Sequence, residues 1–257
     1  MFSRTKSRSC RPLASRHHSD YKLRNLRTAL LFLVFAMRAT AWDSGAVGRL
    51  MKDSREVEGA DFSAIVMAAT GHRIIPIDRE KDAAWLGLVG SAMDATLADL
   101  NSPSHPIHQA GRINEASRFI EEALMERLAK VPGWKCTIPP TASGGSQRSG
   151  YPDLRLVLDD GSVVYLDPKL YAGDSRESSF RTFYYEPKAE TNKITDDARH
   201  LLVGVAHRSA ADGRPEFLRW ELVDVAAMPV RLKLEFQSSN RDIYRDSAIL
   251  GSGVGER

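Results

Sequence analysis

A chain of 257 residues with 42% apolar and 27% charged side chains can bury one substantial core, which excludes a wholly disordered chain and a bundle of membrane spans. Its formal charge of +3 comes from the first 41 residues, where nine Lys/Arg face the single acid Asp20; beyond them 32 acidic residues outnumber 27 basic ones. The body has no global cationic field, so any contact with nucleic acid needs a local basic groove.

The N-terminus is ordered as an export signal. A cationic leader (Arg4, Lys6, Arg8, Arg11, Arg16, Lys22, Arg24, Arg27) precedes the apolar run Ala29 to Met37, and Ala39-Thr40-Ala41 offers small residues for cleavage. The expectation is a signal peptide over 1–41 and a secreted or periplasmic protein starting at Trp42, with a cytoplasmic protein as the alternative if the leader is not a signal. The apolar run is too short to span a bilayer comfortably, so no stable membrane span is expected after cleavage. Cys10 would leave with the leader, and Cys136 alone supports neither a disulfide nor a cysteine metal site.

Residues 42–110 read as a helical extension. Helices are expected over Ala46 to Val57, Asp61 to Ala69 and Glu80 to Leu100, with an extended link at Arg73 to Ile77. The apolar positions Trp85, Leu86, Leu88, Val89, Met93, Leu97 and Leu100 fit core packing. Pro103 and Pro106 break the pattern; His105 and His108 have no third ligand nearby and read as structural.

A further helix runs from about Ile113 to Ala129, with Ile113, Ala116, Ile120, Ala123, Leu124 and Leu128 on one face. Glu122 and Glu126 read as a solvated flank, whereas Glu115 sits in the first turn, where its carboxylate could approach a neighbouring sheet. Pro132-Gly133 ends this helix, Trp134 to Ile138 reads as a strand, and Thr141 to Gly150 as a polar loop carrying Gln147 and Arg148.

The stretch from Tyr151 to Lys169 then reads as a hairpin. If Asp159-Asp160-Gly161 is a three-residue turn with Gly161 left-handed, Leu158 faces Ser162, Leu156 faces Val164, Leu154 faces Leu166 and Asp153 faces Asp167. Lys169 falls two residues on along the same face, while the leucines mark the other face as buried. A two-residue turn would put the aspartates on opposite faces. Two close carboxylates with a lysine suit a hard cation such as Mg²⁺, which keeps several waters and acidifies one of them.

Downstream, Arg176, Arg181, Tyr184, Tyr185, Lys188 and Lys193 interleave basic and aromatic side chains; Arg148, Arg181, Lys188, Lys193 and Tyr184 are the expected nucleic-acid contacts. A short helix is expected at Ile194 to Arg199, a buried strand at Leu201 to Ala206, strands at Phe217 to Val225 and Val230 to Phe236, and a disordered tail over 246–257.

Gly111-Arg112-Ile113-Asn114-Glu115 opening a helix, then Pro152-Asp153, then Asp167-Pro168-Lys169 at the hairpin's far end, resembles the PD-(D/E)xK nuclease superfamily in order and spacing. That superfamily includes type II restriction endonucleases and archaeal-type Holliday-junction resolvases. The resemblance covers about residues 111 to 206. It implies a restriction endonuclease-like α/β domain over 111–245, a central mixed β-sheet flanked by helices. It further implies Asp153, Asp167, the Pro168 carbonyl and Glu115 as ligands of Mg²⁺ or Mn²⁺, with Lys169 orienting the attacking water. The implied partner is DNA, with a homodimer as the assembly. An exported module retaining the fold without turnover is the alternative.

Overall fold

The computed structural model describes residues 44–56, 59–109, 113, 116–179, 183–233, 235 and 237–254; the expected signal peptide lies outside them. Helix α1, Ser44–Glu56, matches the expected helix. Residues from Ser54 onward form one compact unit.

Within that unit, β1 (Ala60–Asp61) leads into α2 (Phe62–Thr70), which Gly71 closes in a left-handed conformation, as a residue without Cβ readily does. Helix α3 (Ala83–Leu100) buries Trp85, Val89, Met93, Leu97 and Leu100, the expected stripe, whereas Leu88 stays exposed. The buried Asp82 anchors its start by accepting from Trp85 Nε1 at 3.0 Å and Arg199 Nε at 2.8 Å. At the other end Asn101 bonds both backbone groups of Phe217. After a 3₁₀ turn at Pro106–Gln109, α4 (Ala116–Leu128) turns Ala116, Ile120, Leu124 and Leu128 inward.

The sheet has five strands in sequence order: β2 (Lys135–Thr137), β3 (Leu154–Val157), β4 (Val163–Ala172), β5 (Arg199–Ser209) and β6 (Pro215–Asp224). Only β4 and β5 run parallel; the other pairs are antiparallel. A two-residue strand β7 (Pro229–Val230) pairs with β1, and α5 (Asn240–Ile243) is a short capped helix. This is the restriction endonuclease-like arrangement, a central mixed sheet flanked by helices.

The hairpin register is the expected one. Leu154 pairs with Leu166 and Leu156 with Val164, Leu158 N–H donates to Ser162 at 2.9 Å, and Gly161 has φ of 82°. Leu154, Leu156, Leu158, Val164 and Leu166 meet α3 and α4 in one core cluster. Each such side chain contributes about 1.5–3 kcal/mol when fully buried. The opposite face is not open, however: Phe62, Tyr151, Val163, Tyr165, Ile194 and Ala198 form a second cluster over it, with Phe183 and Tyr185 packed alongside.

Two expected elements differ. Residues 194–198 form an irregular link with a bend at Asp196 and Asp197 rather than a helix, and Arg199 already opens β5; Asp196 and Asp197 bond to Arg155 and Arg73, and Ala198 bridges Ile74. The alternating run after Val230 forms no strand beyond β7 among the described residues, since β1 offers only two residues to pair with.

Candidate active site

Strand β4 carries Asp167, Pro168 and Lys169, and the loop entering β3 carries Asp153 next to the cis Tyr151-Pro152 bond. Because Leu154 pairs with Leu166, the next residues outward, Asp153 and Asp167, come together at the hairpin's open end. Lys169 joins them: its Nζ lies 2.5 Å from Asp167 Oδ2 and 3.7 Å from Asp153 Oδ2. Lys169 is 32% exposed and Asp167 1%, so the cluster reaches solvent through its lysine.

Asp167 is the odd member. Both of its oxygens are buried, no backbone group or neutral side chain donates to them, and the close partner is the Lys169 ammonium. Burial, reinforced by the Asp153 charge and only partly offset by Lys169, pushes its carboxyl up to about 7. Burial works against the Lys169 ammonium, but the charges of Asp167 and Asp153 outweigh it and hold its pKa above the ordinary value.

Two further groups face this cluster. Glu121, on the second turn of α4, has its carboxyl raised by burial and then by Asp153, with Arg148, Lys169 and Lys193 acting against the shift. The ammonium of Lys193 is lowered by burial, opposed by Asp153, Asp167 and Glu121. Lys193 is 1% exposed and donates to the Arg148 carbonyl at 3.2 Å. It is therefore a buried neighbour of the carboxylates and not the surface contact its place in a basic stretch implies.

The remaining expected residues divide clearly. Glu115 and Arg181 lie outside the described residues. Pro168 is buried in β4, paired with Val203. Arg148 is half-exposed and pairs with Glu122 at 3.2 Å, Lys188 pairs with Glu186 at 2.8 Å, and Tyr184 is 68% exposed. Tyr184 and Lys188 line a shallow cavity of about 160 Å³ together with Gln147 and Tyr151. His105 Nδ1 accepts from Ile107 N–H, and His108 Nε2 meets the Ser102 carbonyl, which gives both histidines structural partners.

Glu121 lies six residues past Glu115, the acid that the motif order singles out. At about 100° per residue it falls roughly 20° from Leu128, on the edge of the apolar stripe, while Glu122 falls nearly opposite the stripe. That angle was the available signal. Beneath the site, Tyr151 Oη stands 2.7 Å from His200 Nδ1, and burial pushes His200 down to about 3, so the ring is neutral.

Among the described residues no group of three or more His, Cys, Asp or Glu side chains is placed to hold a metal. The donor set is two aspartates, one of them buried, beside Lys169. That fits a hard cation that completes its shell with water and phosphate oxygens, as Mg²⁺ does with one or two carboxylates. A family model described as the type II restriction enzyme MjaV family matches residues 55–247. The type II restriction enzyme MjaV of Methanocaldococcus jannaschii is 28% identical over 208 residues, covering 76% of this chain and 89% of its own.

Proposed function

This chain belongs to the type II restriction enzyme MjaV family, and we propose that it is a metal-dependent endonuclease that hydrolyses phosphodiester bonds of DNA at Asp153, Asp167 and Lys169. The observation that carries the reading is the convergence of the buried Asp167 carboxyl, Asp153 and Lys169 at the open end of the hairpin. Two carboxylates this close, one of them buried, are only partly compensated by a single ammonium, and a cation would relieve the remaining cost.

Asp153 and Asp167, with the Pro168 carbonyl as a further oxygen, would hold Mg²⁺ or Mn²⁺. When bound, such an ion supplies an acidified water and neutralises phosphate charge. Lys169, whose pKa is held up by the two aspartates, keeps its proton. It acts as a hydrogen-bond donor and fixed positive charge for the phosphate oxygens as water adds to phosphorus and the ester P–O bond breaks. Glu121 supplies the helix carboxylate beside the attacking water, and its raised pKa suits it to receive a proton. Lys193, held by the Arg148 carbonyl, offsets the charge of three carboxylates.

The test incubates the full chain with supercoiled and linear DNA, with Mg²⁺ or with chelator, beside Asp153→Ala and Lys169→Ala. Cleavage that needs the metal and falls at least about a hundredfold in each variant is the expected result. Equal nicking by all three proteins would remove the reading.

A further inference from the structure

The sheet face that carries the site continues past Lys169 into a strip that is more open than the half beneath the aromatic cluster. Pairing sets Lys169 against Gly204 and Tyr171 against Ala206, then Gly204 against Glu221 and Ala206 against Arg219. Directly paired residues share a face, so Lys169, Tyr171, Glu221 and Arg219 stand on one side of the sheet with Asp167. Between Lys169 and Glu221, and between Tyr171 and Arg219, β5 contributes only Gly204 and Ala206. The Tyr171 ring uses that space: a Cβ on Gly204 would lie 3.4 Å from its Cε1.

The polar groups along the strip are unequally satisfied. Tyr171 donates to Glu221 Oε2 at 2.8 Å and Arg176 Nη2 to Oε1 at 3.0 Å, so this carboxylate is answered from two sides. Arg208 is paired with Glu216 and Arg214 with Asp212. Arg219 differs. It is exposed, its guanidinium lies 5.8 Å from the Tyr171 ring centroid, and among the described residues no carboxylate lies within ion-pair distance of it. Tyr171 steadies the guanidinium through its ring and its hydroxyl, which leaves the other N–H donors of the fork without a carboxylate. β6 is two strands from β4, about 10 Å across the sheet, so Arg219 is borne on the strand flanking β5, on the face that carries the reacting centre.

We propose that this strip is a track for the DNA backbone next to the scissile bond, with Arg219 gripping a flanking phosphate and Tyr171 holding the guanidinium in place. The assignment rests on the endonuclease reading above. An arginine fork matches phosphate geometry in two hydrogen bonds and carries no sequence information, so its effect is on affinity and not on which site is cut.

The experiment measures KM, kcat and the salt dependence of kcat/KM on plasmid DNA with Mg²⁺ for wild type, Arg219→Ala, Arg219→Lys and Arg214→Ala. Arg219→Ala should raise KM about tenfold with kcat retained, and flatten the log–log salt slope by about 0.9. Arg219→Lys should keep most of the slope, Arg214→Ala should match wild type, and thermal melting should confirm that all four are folded. Active wild type with unchanged KM and slope in Arg219→Ala overturns the track alone, as does a loss confined to kcat. Inactive wild type overturns the endonuclease reading and this proposal with it.

Discussion

One sheet face holds two aspartates in opposite condition. Asp196 accepts from Arg155 Nε and Nη2 at 2.8 and 2.7 Å, from Tyr165 Oη at 2.7 Å and from Thr195 Oγ1 at 3.1 Å. The bonds from Arg155 lead, against some cost of burial, in pulling its carboxyl down to about 2. Asp167, two residues beyond Tyr165 on β4, is more deeply buried, has the Lys169 ammonium as its close partner, and is pushed up to about 7 by burial and the Asp153 charge. The first carboxylate is finished by the protein and serves the fold. The second is answered only by the Lys169 ammonium, and a strongly shifted carboxyl of this kind marks a candidate functional group.

The sharpest way to break this comparison is Asp167→Asn. On the proposed endonuclease reading, cleavage should fall at least about a thousandfold, since the proposed cation ligand is lost. Stability should move the other way. A carboxyl raised in the folded state binds protons that the unfolded chain has released, so its effect on stability is most favourable below its ordinary value of 3.8 and worsens as pH rises toward about 7. At pH 8 without metal the Asn variant should therefore be more stable than wild type, on the order of 1–3 kcal/mol. Calorimetric melting with and without Mg²⁺ checks it. A variant that is both inactive and strongly destabilised would make Asp167 structural like Asp196.

The mirror-image change is Asp196→Ala. It strands a half-buried Arg155 guanidinium and should cost about 2–3 kcal/mol in denaturant unfolding, with kcat of the folded fraction close to wild type. The pH signature is also reversed. A depressed carboxyl stabilises the fold above its ordinary value of 3.8, and that contribution fades as pH falls toward about 2. Asp196→Asn should flatten the acid limb of stability over that window, whereas Asp167→Asn should remove the loss of stability that wild type suffers as pH rises from about 4 to about 7.

What the sequence disclosed follows the same division. The leucine face, the turn glycine and the helical stripes were legible because periodicity and chirality act over a few residues. The site's partners were less so. Lys193 reads as one more cation in a basic run, and only the packing of residues 192–194 against the 148–151 loop buries it. Ile194 to Ala198 reads as a helix start, yet Asp196 and Asp197 spend their carboxylates on arginines more than 40 residues away in sequence. Glu121 and Asp196 owe their roles to contacts between elements, which local spacing does not encode.

The smallest predicted effect tests the link between turn and site. Gly161 sits at φ of 82°, where an added Cβ meets no neighbouring atom within 4 Å, so Gly161→Ala is opposed by backbone strain alone. That strain is about 1–2 kcal/mol. If the turn holds, unfolding should shift by about that amount and cleavage should persist, because Leu154 and Leu156 lock the register against Leu166 and Val164. If instead the turn relaxes to two residues, Asp153 moves to the face opposite Asp167, and activity should vanish while the protein stays folded. Measuring stability and cleavage on the same preparation separates the two, and persistence of cleavage would show that the leucine face sets the register of the catalytic pair and the glycine only eases it.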